Sequence, residues 1–72
     1  MAVSDKWEQI KGQWKQFTGS VKEYWGELTD DEIMEINGER EQLEGKIQEK
    51  YGIAREEARE QVSKWLDKHM NN

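Results

Sequence analysis

Apolar residues recur in the first part of the chain at Trp7, Ile10, Trp14, Phe17, Val21, Tyr24, Trp25 and Leu28, mostly in alternating steps of three and four. That spacing lays them on one face of an amphipathic helix. Ser4 or Asp5 is placed to cap its start and Gly26 to stop it. Gly12 and Gly19 interrupt it, each costing about 1 kcal/mol against alanine in a helix interior, so a kink or break is expected near Gly12. The stretch "LTDDEI" follows. Thr29 as N-cap with Glu32 three places on makes a capping box, and Asp30 and Asp31 suit the positive end of a helix dipole. A short helix from Asp30 to Ile36 follows from this, with Ile33, Met34 and Ile36 apolar. Asn37-Gly38 ends it, and because the flanks do not alternate as strands would, the pair reads as a helix–helix turn rather than a β-hairpin. Leu43, Ile47 and Tyr51 mark a third helix over 39–51, closed by Gly52. Its solvated face is Glu39, Glu41, Glu44, Lys46, Glu49 and Lys50. A fourth helix over 54–68 turns Ala54, Ala58, Val62, Trp65 and Leu66 inward, and the last four residues, "HMNN", are expected to fray.

The pattern repeats. At an offset of 26 residues Gly12 matches Gly38, Phe17 matches Leu43, Gly19 matches Gly45, Val21 matches Ile47, Trp25 matches Tyr51 and Gly26 matches Gly52. Each copy (12–36 and 38–66) is a helix, a glycine stop and an acidic helix start. The expectation is one domain over 1–72, all-α with four helices, built as two helical hairpins that cover each other's apolar faces. Gly19 and Gly45 would then permit close helix approach. The expected core is Ile10, Trp14, Phe17, Val21, Trp25, Leu28, Ile33, Ile36, Leu43, Ile47, Tyr51, Ala58, Val62 and Trp65.

Composition sharpens this picture. Charged residues make up 38% of the chain, against about 25% in an average domain, and the mean hydropathy is -1.21. Such polarity leans toward disorder. Four tryptophans, two tyrosines and a phenylalanine oppose it, because each large ring buries roughly 150–250 Å². With no cysteine there is no disulfide and no thiolate chemistry. No run is long and apolar enough to span a membrane and the start lacks a signal-peptide core, so the expected compartment is the cytoplasm. The net charge of -5 is uneven: residues 1–25 carry +1, residues 26–60 carry -7 and residues 61–72 carry +1. The acidic middle would repel a phosphate backbone.

The runs "GQWKQFTGSVKEYWGELTDDE" and "INGEREQLEGKIQEKYGIAREEAREQVSKW" resemble the CsbD-like family of small bacterial stress proteins, from about Trp7 to Trp65, and most of all a short enterobacterial member. The resemblance implies two orthogonally packed helical hairpins, like those of SAM domains, in a soluble bacterial protein that accumulates under general stress. It implies no enzymatic activity, no agreed partner and no functional residues to carry over.

The residues themselves offer little chemistry. His69, the single histidine, has no partner fixed by spacing to orient it as a general base and reads as a solvated tail residue. Asp30, Asp31, Glu32 and Glu35 lack the ligand spacing and central glycine of a calcium loop, and capping already accounts for them. No glycine loop cradles a phosphate. The expectation is therefore no enzyme, no cofactor and no metal, in a monomer. The one candidate site is aromatic: so many indoles are hard to bury in 72 residues, so Trp7 and Trp14, flanked by Lys11 and Lys15, would stay partly exposed. Such a patch could dock a protein partner, since aromatics are enriched at binding hot spots. With fewer charges in its favour it could stack on bases or sit at a membrane surface. The competing reading is a hydrophilin-like protectant whose hydrated acidic surface shields other macromolecules during water loss.

Overall fold

The structure, a computed structural model, describes residues 2–70, with side chains from Trp7 to His69. Five helices follow in order: α1 (Ala2–Gly12), α2 (Trp14–Tyr24), α3 (Asp30–Ile36), α4 (Arg40–Tyr51) and α5 (Arg55–Met70). No strand occurs among the described residues. The expected count of four is corrected to five, because the first amphipathic run is cut in two at Gln13, immediately after Gly12. The backbone is already helical at Ala2, so neither Ser4 nor Asp5 stands at the N-cap. Residues 71 and 72 of the expected frayed end lie outside the described residues.

The capping box forms as the sequence requires. Thr29 Oγ1 accepts from the Glu32 amide at 3.1 Å and Glu32 Oε1 accepts from the Thr29 amide at 3.0 Å. Asn37 (φ 53°) and Gly38 (φ 81°) then turn the chain through the left-handed region into α4. α2 stops where expected, with Trp25 as its C-cap and Gly26 next at C′. Trp25 leaves helical geometry at φ -120°, its ring buried and its indole N–H donated to Gln61 Oε1 at 2.9 Å.

Packing follows the hairpins: α2 lies against α3, α4 against α5, α3 joins the pairs through α4, and α1 rests on α2 and α5. Between them lies one apolar core of Trp7, Ile10, Trp14, Val21, Trp25, Leu28, Ile33, Ile36, Leu43, Ile47, Ala58, Val62, Trp65 and Leu66, with Phe17 and Ile53 partly buried at its margin. Tyr51 is corrected: it is 39% exposed. It sits in the last turn of α4, where its hydroxyl oxygen accepts the Glu27 amide hydrogen at 3.1 Å and keeps the ring at the surface. Gly19 and Gly45 do not mediate close helix contact, since an added Cβ would meet nothing within 4 Å at either position.

Candidate functional site

α1 and α2 bring Trp7 and Trp14 together, with ring centroids 6.2 Å apart, but the pair faces inward. Trp7 is 7% exposed and Trp14 6%. Each indole N–H is spent inside the molecule, on Gly38 O at 2.7 Å for Trp7 and on Ile33 O at 2.9 Å for Trp14. The expected exposed aromatic patch is thereby corrected. A buried N–H needs an acceptor, and the α3 terminus with its turn supplies both carbonyls, so the indoles tie the start of the chain to its middle. Trp65 of α5 closes the cluster, with centroids 6.1 Å from Trp7, 6.0 Å from Trp25 and 5.9 Å from Phe17.

The flanking lysines stay at the surface. Lys11 Nζ pairs with Glu39 Oε2 at 3.1 Å, and Lys15 is exposed. Lys22 donates to Leu28 O at 3.0 Å. Trp7 and Lys11 line one open concavity with Gly38 and Glu39, but Trp14 and Lys15 are not part of it. His69 is not a solvated tail residue. It is half-buried, with its ring 4.8 Å from Trp65 and 6.1 Å from Phe17.

The most connected polar group is Arg40. Its Nε donates to Glu44 Oε2 at 2.9 Å and its Nη2 to Ser63 Oγ at 2.9 Å, while its Cζ lies 5.9 Å from the centroid of Trp7. One guanidinium thus links α1, α4 and α5. Glu44, read from the sequence as part of a solvated face, is buried. The signal was present: Arg40, Leu43, Glu44 and Ile47 stand at i, i+3, i+4 and i+7, the positions of one helix face. A charged pair can occupy such a face when each partner neutralises the other. Beside this pair a concavity of about 860 Å³ runs between α4 and α5 and is lined by charged side chains including Arg55, Glu56, Arg59 and Glu60.

A further ion pair ties α3 to α4. Lys50 Nζ lies 2.8 Å from Glu32 Oε2. The Lys50 ammonium, then the Thr29 amide, hold the Glu32 carboxyl down at about 2, and Glu32 in turn raises Lys50 above its ordinary value. Glu32 is thereby committed to structure. Among the described residues no group of three or more histidines, cysteines or carboxylates is arranged to hold a metal ion, and no helix is long and apolar enough to cross a membrane.

The described residues form an all-α globule with an aromatic core and a largely charged exterior. The CsbD-like family profile matches residues 8–60. A UPF0337 protein of Pectobacterium atrosepticum is 52% identical over 66 residues, which cover 92% of this chain and 86% of that protein. The UPF0337 protein YjbJ of Escherichia coli is 50% identical over 63 residues, 88% of this chain and 81% of that one. A UPF0337 protein of Protochlamydia amoebophila is 50% identical over 62 residues, 86% and 94% of the two chains. No solved structure matches. The chain belongs to the CsbD-like family.

Proposed function

We propose that the protein is a non-enzymatic bacterial stress-response protein, acting in the cytoplasm through its outer surface as a hydrated, acidic protectant of other macromolecules. The stress-response part rests on family membership. The surface part rests on one observation: all four tryptophans are buried, and the large apolar side chains exposed among the described residues are Tyr24, Met34 and Tyr51. What meets solvent is chiefly charge, which keeps a protein soluble as its surroundings concentrate. The two hairpins, α2–α3 and α4–α5, are set near right angles in this reading, as in SAM domains. Overall extents of 28 × 24 × 18 Å support a squat arrangement over an elongated bundle.

A second reading, a small protein-interaction module, is favoured by Tyr24, Met34 and Tyr51, which rise from three different helices. Drying a labile enzyme in the presence of the protein separates the two. A protectant preserves activity in proportion to its mass, and the Tyr24→Ser, Met34→Ser, Tyr51→Ser variant protects equally well. Loss of protection in that folded triple variant would favour the interaction module. Equal protection by the same mass of an unrelated neutral protein would overturn the protectant reading.

A further inference from the structure

We infer that α1 and α2 form a bistable element, and that their straightening lets two copies of this chain exchange α1 into a domain-swapped dimer. Beyond the surface function proposed above, this assigns a partner, a second copy, to a segment of known contacts.

The break between the two helices is poorly encoded locally. Gln13 is the single residue between them. It makes no side-chain capping hydrogen bond and α2 has no acidic residue in its first turn, in contrast to the full capping box of α3. The Gln13 amide still donates back to Gln9 O at 3.2 Å and Ile10 O at 3.1 Å, so the ladder reaches the hinge unbroken. Gly12 has open space at its Cβ position and no left-handed φ, so nothing at that residue forbids a continuous helix. The apolar phase also runs straight through: Trp7, Trp14, Val21 and Leu28 are seven apart, with Ile10 and Phe17 between them. In an unbroken helix the first amides of α2 would reach the carbonyls of the last turn of α1.

The bend is held by tertiary contacts instead. Trp7 donates to Gly38 O and lies beside Trp14 and Trp65, Ile10 is buried, and Lys11 pairs with Glu39. A second copy can supply Gly38, Glu39 and Trp65 equally well. A straight helix over residues 2–24 would be about 34 Å long at 1.5 Å per residue. The longest extent of the molecule is 28 Å. Straightening therefore carries the start of α1 past the edge of its own globule and lifts Trp7 and Ile10 off the site that now buries them, and a second copy offers that same site.

The chain has no cysteine, so disulfides report the exchange. Lys11→Cys and Glu39→Cys proteins are mixed at high concentration, warmed to exchange, cooled and oxidised. The double variant Lys11→Cys/Glu39→Cys, oxidised when dilute, first shows that the two sites close within one folded chain. The expected result is a mixed disulfide dimer well above the yield of a Lys15→Cys and Glu39→Cys control pair. Gln13→Asp, which caps α2, should lower that yield about fivefold per hinge, and Gly12→Ala should raise it. A yield equal to the control pair and insensitive to both hinge substitutions would overturn the exchange.

Discussion

Arg40 lies over the ring of Trp7, its Cζ 5.9 Å from the centroid, while its Nε holds the buried Glu44 carboxylate at 2.9 Å. The guanidinium is sandwiched between an aromatic of α1 and an anion of α4. Removing one partner of a buried pair strands the other charge. Arg40→Ala should therefore cost about 3 kcal/mol, the lower end of the range for such pairs, because the Arg40 side chain is still 20% exposed. Arg40→Met with Glu44→Leu, which strands nothing, should recover most of that loss. Urea unfolding of the three proteins checks this, and a single variant as stable as the double one would contradict it.

The pair between Glu32 and Lys50 predicts an acid response. The Glu32 carboxyl is lowered from 4.5 to about 2 on folding, so its stabilisation is present above 4.5 and is lost as pH falls toward 2. Lys50 is raised, so its share is present below its ordinary value and is lost only in strong alkali. Melting temperature should fall between pH 4.5 and 2, and Glu32→Gln should flatten that part of the curve. An unchanged slope in the variant would place the acid response elsewhere.

Gly38 and Gly52 both have positive φ, 81° and 63°, yet alanine should not be equally tolerated. At Gly52 an added Cβ meets nothing within 4 Å, leaving only the left-handed backbone penalty of about 1–2 kcal/mol. At Gly38 the same atom would lie 3.0 Å from Lys11 Cγ and 3.1 Å from Lys11 Cα, pushing α1 away and stretching the Trp7 hydrogen bond. Gly38→Ala should be clearly the less stable of the two in thermal melts. Equal losses would mean that α1 does not rest on this turn.

Leu43 and Phe17 occupy matching places in the two repeats, and the sequence pattern ranks them alike. The structure separates them: Leu43 is fully buried, whereas Phe17 stands at the core margin against Trp65 and His69. Leu43→Ala should cost about 2–5 kcal/mol, the range for buried leucines, and Phe17→Ala less. Denaturant midpoints decide, and a greater loss for Phe17→Ala would contradict the assignment.

Most of the helices could be read from the chain, because apolar spacing and capping are local properties. The α3 start shows this best, with Thr29 and Glu32 sufficient to place it. What escaped depends on three-dimensional closure. The burial of Trp7 needs the Gly38 carbonyl, 31 positions away. Tyr51 carries the same spacing as Leu43 and Ile47, yet its hydroxyl is drawn to the Glu27 amide at the surface. The expected exposure of Trp7 and Trp14 failed for the same reason. A row of Trp and Lys at helical spacing cannot by itself say which side of the helix meets the rest of the chain.

The central claim is that the indoles build the core and are not presented to a partner. Hydrogen exchange of the four indole N–H groups, followed by NMR, tests it most directly. Trp14, donating to Ile33 O, should exchange only on global unfolding, at rates matching the slowest backbone amides, and Trp7, donating to Gly38 O, should be protected too, exchanging no faster than α1 opens. Exchange of Trp7 and Trp14 at the rate of a free peptide, with the core amides still protected, would contradict the account and restore an aromatic docking face.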